Sequence, residues 1–289
     1  MKTTQHLQSP ITQKEKNLVL EPLSNILIQQ KQKNPKKTLI IGIQGGQGTG
    51  KSTMTTELEQ ILTTKGYKTH HFSIDDFYTS SKDREIFRKK HPTNSFYQIA
   101  RGMPGTHNLK TLTKILDRIQ KKQPFAIPIF DKSLHNGQGD QIKKIINVRS
   151  PQDIILFEGW CVAIPNITKK VLQATCKKYN FNLKKLDPTG KSQNILIQQI
   201  KEYQPIWKKL NYMIMLKPPN PQMHKIWRNQ AEQQLKKSTN SSGSMTTQQI
   251  NHFVDVFLPL TYVCYDKIKP NCIIDVNKDH TFSKINYSN

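Results

Sequence analysis

Two runs of this chain carry no polar relief: Leu39–Ile43, and Ile154-Ile155-Leu156-Phe157. Runs of this kind predict strands covered on both faces, as in the middle of a parallel sheet. The first belongs to a strand over Thr38–Gln44, followed by a helix over about Gly50–Lys65 that Gly66 ends as a C-cap. A second strand, about Lys68–Ile74, stops at Asp75-Asp76. Leu109, Leu112, Ile115, Leu116 and Ile119 keep helical spacing and predict a helix over Leu109–Lys122 with one buried face. Ile127–Phe130 reads as a short strand and "DKSLHNGQGDQ" after it as a glycine-containing loop. Asn194–Tyr203 and Met223–Lys236 read as helices on either side of an apolar strand, Tyr212–Leu216. Lys236–Ser244 has the composition of a flexible loop. Thr246-x-x-Gln249 resembles a capping box opening a helix through about Tyr262, and Cys272–Val276 reads as a last strand. Strands alternating with helices predict a three-layer α/β fold, a parallel sheet with helices on both faces. Residues 1–37, rich in Gln and Lys, read as a polar extension with a short amphipathic stretch at Leu18–Ile28. Residues 38–289 read as one domain.

The turn after the first strand changes this picture from a fold to a chemistry. Gly45-Gly46-Gln47-Gly48-Thr49-Gly50-Lys51-Ser52 fits G-x-x-x-x-G-K-[ST], with a strand before it and a helix after it. Glycines let backbone N–H groups close around phosphates, and the helix offers its positive end. The segment through Thr53 is therefore the candidate nucleotide site, with Lys51 for the outer phosphates and the Ser52 hydroxyl for Mg²⁺. Beyond the carboxyl ends of parallel strands lies the usual ligand crevice. Asp75 and Asp76 stand at one such end, where a carboxylate can take a proton from a substrate hydroxyl or contact the metal. The residues alone leave open which of the two is the base. Glu158, directly after "IILF", is placed as a Walker-B-type carboxylate to support Mg²⁺. Arg228 lies on a predicted helix just before the flexible loop and is a candidate lid arginine, the lid spanning about 224–248. Arg101, His107 and Lys132 are candidate anchors for an anionic substrate.

Composition narrows the alternatives. The chain has 289 residues, 35% of them hydrophobic, and a formal charge of +24. The lysines fall in scattered doublets without interleaved aromatics, so the charge reads as solvated surface that favours anionic small molecules, and no nucleic-acid partner is expected. The first residues carry no apolar secretory segment, no run is long enough to span a membrane, and the four cysteines form no C-x-x-C pair. A cytoplasmic protein with reduced thiols is the expectation.

The motifs "GGQGTGKST", "SIDDFYT", "RGMPGTH", "DKSLHNGQGD", "LFEGW" and "IWRNQAE", in this order, resemble the D-glycerate 3-kinase family of plants and fungi and its bacterial relatives. That family lies within the P-loop kinases related to uridine kinase, phosphoribulokinase and pantothenate kinase. The resemblance covers about residues 38–265. It implies transfer of the γ-phosphoryl group of ATP, with Mg²⁺, to a glycerate hydroxyl, giving 3-phosphoglycerate. It also implies Asp75 as catalytic base, Ser52 and Glu158 at the metal, and Arg228 in the lid. Asp76, Tyr78, Arg101, His107 and Lys132 would face the acceptor. The chain departs from the family pattern at Asn108, Ile129, Phe130 and Gln141. The last three stand where the family commonly has Arg, Tyr and Arg, near the implied carboxylate pocket. A kinase for a nucleoside, pantothenate or another alcohol is the alternative, followed by an ATP-binding regulatory protein on nucleic acid.

Overall fold

The computed structural model describes residues 11–239 and 246–288. After two short turns, Gln13–Glu15 and Lys16–Leu20, the first long helix is α1 (Glu21–Lys33). Strand β1 (Leu39–Gly45) leads into helix α2 (Lys51–Thr64), and β2 (Thr69–Ser73) into the 3-10 turn Ile74–Phe77. Helices α3 (Ser81–Lys90) and α4 (Leu109–Gln120) follow, then a hairpin of β3 (Phe125–Asp131) and β4 (Asp140–Val148). Next come β5 (Ile154–Gly159), α5 (Lys169–Lys178), α6 (Lys191–Glu202) and β6 (Tyr212–Lys217). The chain closes with α7 (Met223–Thr239), α8 (Thr247–Lys267), β7 (Cys272–Val276) and β8 (Phe282–Tyr287).

Six strands form one sheet in the order β2-β5-β1-β6-β7-β8, parallel except for the edge pair β7-β8. Both apolar runs sit at its centre, every residue of β1 and β5 being buried. Alternation sends Ile40, Phe72, Ile155, Phe157, Met213 and Met215 to one core. Ile41, Ile43, Ile154, Leu156 and Ile214 go to the other. Two cores around one sheet account for strands that look uniformly hydrophobic in sequence.

The amphipathic stretch near the N-terminus is helical and belongs to the second core. Val19, Leu20, Leu23 and Leu27 pack with Leu58, Leu62 and Ile274, and the Glu15 carboxylate accepts the Phe282 N–H at 2.8 Å. Three other elements differ from the sequence expectation. The glycine loop after β3 is a hairpin turn, because Asp140–Val148 returns antiparallel to β3. Helix α7 runs to Thr239, into the segment expected as loop, and the rest of that loop, 240–245, lies outside the described residues. Thr246 does cap α8 through a full capping box with Gln249, and that helix continues past Tyr262 to Lys267.

Register brings the chemistry together. Glu158 on β5 is level with Ser73 on β2 and Ile43 on β1. The phosphate loop, the Asp75 turn and the Glu158 carboxylate therefore leave the sheet at one edge. Among the described residues no helix is long and apolar enough to cross a membrane, and all four cysteines are buried free thiols.

Candidate active site

The phosphate loop begins at Gly45, the last residue of β1, and Gly50 caps α2 at φ +84°, a left-handed conformation that favours glycine. The loop is closed on itself. Lys51 Nζ donates to the Gly46 carbonyl at 3.0 Å and Thr49 Oγ1 donates to the same oxygen at 2.9 Å. Burial pulls the Lys51 ammonium below its ordinary pKa while the carboxylates of Glu158 and Asp75 oppose that shift. The Ser52 hydroxyl donates to Glu158 Oε1 at 2.8 Å, so the two residues expected at the metal touch.

Four residues given no individual role in the sequence reading brace this loop. His224 and Trp227 come from α7, Tyr265 from α8, and His280 from the β7–β8 turn. Tyr265 accepts the Gly46 N–H at 3.2 Å. The His224 ring bonds the Gln47 carbonyl through Nδ1 at 2.7 Å and Tyr265 through Nε2 at 3.0 Å. His280 Nδ1 bonds the Gly48 carbonyl at 2.9 Å, and its ring lies 4.6 Å from that of Trp227. Trp227 packs so closely on Gly48 that an added Cβ would stand 2.9 Å from its own Cβ. These residues lie about 175 to 235 positions beyond the loop, and only the nearness of His224 and Trp227 to the singled-out Arg228 hinted at them in sequence.

The two adjacent aspartates have different surroundings. Asp76 Oδ2 accepts the Ser73 N–H at 2.9 Å as half of a capping box, which ties it to the backbone of its own turn. Asp75 looks across to the hairpin. The Tyr78 hydroxyl donates to its Oδ1 at 2.8 Å and Lys132 Nζ donates to its Oδ2 at 2.7 Å. Burial would raise the Asp75 pKa, but the Lys132 ammonium, the Tyr78 hydroxyl and nearby His107 together hold it well below the usual carboxylate range. Lys132 rises in turn, with Asp75 as the main cause. The pair is open to water, Lys132 being 46% exposed and Asp75 28%. So exposed a salt bridge adds at most about 1 kcal/mol of stability.

His107 stacks on Tyr78 at 4.5 Å between ring centroids, and Nδ1 lies 2.7 Å from the Tyr203 hydroxyl. That hydroxyl also accepts the Gly105 N–H at 2.9 Å. His107 Nε2 is buried without a hydrogen-bond partner among the described residues. Burial lowers the His107 pKa to about 4, which leaves the ring neutral.

Arg101 donates to the Gly137 carbonyl at 2.5 Å, and its guanidinium lies 5.7 Å from the Phe130 ring. Phe130 receives a second cation, Arg84, at 5.2 Å. Sequence reasoning missed Arg84, which sits within the charged run "SKDREIFRKK" and gives no local signal. It is buried and donates to the carbonyls of Thr79, Ala100, Gln138 and Gly139, fixing the hairpin to the Asp75 segment. Gln141, one of the departures, donates to the Tyr78 carbonyl at 3.1 Å. Asn108, another, caps α4 by accepting the Thr111 N–H at 3.0 Å. Among the described residues Arg228 has Glu232, at 3.3 Å, and the Phe253 ring, at 5.8 Å, as partners rather than the phosphate loop.

Known proteins resemble this chain in sequence and in fold. Residues 40–174 match the phosphoribulokinase/uridine kinase family. The kinase mug58 of Schizosaccharomyces pombe is 30% identical over 285 residues, 90% of this chain and 97% of that protein. The chloroplastic D-glycerate 3-kinase of Arabidopsis thaliana is 28% identical over 228 residues, 76% of this chain but 46% of that longer protein. Among solved structures, D-glycerate 3-kinase from Cryptococcus neoformans superposes with a TM-score of 0.81 at 22% identity, covering 93% of this chain and 99% of that one. At that identity the likeness speaks for the fold.

Proposed function

This chain belongs to the phosphoribulokinase/uridine kinase family of ATP-using kinases, and from that premise we propose that it phosphorylates a hydroxyl of a small anionic acceptor, D-glycerate going to 3-phosphoglycerate. The observation that carries the reading is the convergence of the Lys51–Ser52 loop end, Glu158 and Asp75 at one sheet edge, with Lys132 and Arg101 arriving from the acceptor side. The name of the Arabidopsis relative supplies the specific acceptor of this reading.

The backbone N–H groups of Gly46–Lys51 would hold the β-phosphate. Lys51 would exchange the Gly46 carbonyl for phosphate oxygens. The acceptor oxygen attacks the γ-phosphorus in line, its proton passes to Asp75, and ADP leaves. The Ser52 hydroxyl and Glu158 carboxylate are adjacent hard oxygen donors, which suits Mg²⁺, a cation that takes few protein ligands beside phosphates and water. Bound there, Mg²⁺ would supply charge neutralisation across the phosphates. Asp76 would orient the turn carrying Asp75, and Tyr78 and His107 would line the acceptor side. For Arg228 to serve as the lid arginine, its guanidinium must leave Glu232.

A coupled ADP-release assay with MgATP tests the reading, with D-glycerate, L-glycerate and no acceptor in parallel. Stereospecific turnover with 3-phosphoglycerate as product is the expected result. Glycerate turnover at the blank, with turnover of uridine or pantothenate, would move the reading to another acceptor. The second reading rests on Ile129 and Gln141, which put a hydrocarbon and an already bonded amide where the glycerate kinase pattern has arginines.

A further inference from the structure

The carboxylate proposed to take the acceptor's proton has a donor on each oxygen. Tyr78 occupies Oδ1 and the Lys132 ammonium occupies Oδ2. A hydroxyl entering the site competes with the Lys132 ammonium for the charge on Oδ2. The two partners differ in how readily they can leave. Tyr78 is buried, stacked between His107 and the edge of Phe130. Lys132 is half exposed, on the turn that opens after β3, where a charge pair gains little from leaving water. Other charges act on it unequally. Arg101 repels the ammonium, while Glu158 is a weaker attraction than Asp75.

We propose that Lys132 makes the site selective for anionic acceptors, because the acceptor's own anionic group must draw the ammonium off Asp75 before Asp75 can take the hydroxyl proton. The proposal rests on the kinase reading above, with Asp75 as base. A carboxylate on the acceptor offers Lys132 a replacement partner, and Arg101, which reaches the hairpin loop through the Gly137 carbonyl, gives that carboxylate a second cation. A neutral alcohol or a water molecule offers the ammonium no negative charge in exchange, so the ion pair with Asp75 stays in place. When the acceptor is anionic, an O–P bond forms, the bond from the γ-phosphorus to the bridging oxygen breaks, ADP departs with that electron pair, and Asp75 Oδ2 receives the proton. When the nucleophile is water, the ammonium stays on Oδ2 and keeps Asp75 a weak base, and ATP is spared.

The arm keeps Lys132 in place for this exchange. Asp131 accepts both the N–H and the hydroxyl of Ser133, at 2.8 and 2.6 Å, which sets the turn. Arg84 fixes the far end of the hairpin loop through the Gln138 and Gly139 carbonyls.

The test uses the full chain, Lys132→Met, which keeps the stem and removes the charge, and Lys132→Arg, which keeps the charge. ADP release is measured with D-glycerate, with glycerol as its neutral analogue, and with no acceptor. The wild type should prefer glycerate by at least about 1000-fold in kcat/KM, and Lys132→Met should shrink that ratio at least about 30-fold. Acceptor-free ADP release should rise about fivefold in Lys132→Met, as the freed carboxylate becomes available to water. Lys132→Arg should keep most of the selectivity. Equal losses on glycerate and glycerol, with an unchanged acceptor-free rate, would overturn the proposal and leave Lys132 a packing residue. The acceptor-free arm separates the two readings. Glycerate turnover in the wild type with no change of either quantity in Lys132→Met removes the selectivity role alone. No glycerate turnover with a raised acceptor-free rate in Lys132→Met removes glycerate and keeps the role of Lys132.

Discussion

The two sides of the site are built in opposite ways. The phosphate side is a single segment, Gly45–Thr53, held by bonds to its backbone from His224, Tyr265 and His280. The acceptor side is a meeting of four distant segments: Asp75–Tyr78, Arg101–His107, Lys132 on the hairpin, and Tyr203. Backbone chemistry tolerates variation in the surrounding side chains, so the same loop can serve many kinases. Side-chain chemistry carried on an arm can be re-cut for each acceptor. The departures Ile129, Phe130 and Gln141 all lie on that arm.

The largest expected effects test whether both sides are needed for one reaction. Lys51→Ala and Asp75→Asn should each lower kcat at least about a hundredfold, the usual scale for losing a phosphate-clamping charge or a general base. ATP binding, followed by calorimetry, should weaken in Lys51→Ala and persist in Asp75→Asn. Near-normal turnover in Asp75→Asn would remove it from the role of base.

Arg84→Met comes next and should separate the sides. It leaves four carbonyls without their buried donor, at a cost of roughly 3 kcal/mol. The melting temperature should fall, and the acceptor KM should rise more than the KM for ATP. An equal rise in both would mean that the hairpin does not belong to the acceptor side alone.

How much of this was legible in sequence follows the same division. The loop, its strand and its helix are contiguous, so their residues announced themselves through spacing, and β1, β5 and the Thr246 capping box were readable for the same reason. Strand β4 was not, because its residues are mostly exposed on a two-stranded arm and show no core-facing run. Arg84 and Tyr203 act through tertiary contact alone, and nothing in their neighbours marks them. The difference between Asp75 and Asp76 is a matter of which way each side chain turns, which adjacency in sequence could not decide.

A smaller effect tests how rigidly the phosphate side is held. A Cβ on Gly46 would overlap the His224 imidazole. Gly46→Ala should weaken ATP binding by about tenfold, on the order of 1.4 kcal/mol. Adding His224→Ala should recover part of that loss by making room. Failure of the second change to recover any of it would place the constraint in the loop's own backbone instead.

The smallest effect is a pH dependence shared by the two sides, since each has one buried neutral histidine. Burial lowers both His107 and His224 to about 4, against about 6.5 in the unfolded chain. The folded values lie below the unfolded ones, so the unfolded state binds protons first as the solution is acidified. Stability is complete above pH 6.5 and declines between 6.5 and 4. From pH 7 to 5.5 each histidine should cost about 1 kcal/mol. Carboxylates held low add nothing in that window: Asp75, and Glu59 at about 2 through its bonds to His70 and His71, lose their contribution only below about 4. Melting curves from pH 7 to 5.5 read the sum, and His107→Gln and His224→Gln should each remove about half of the slope. A flat profile in the wild type would mean that burial does not hold these two rings neutral in the folded protein.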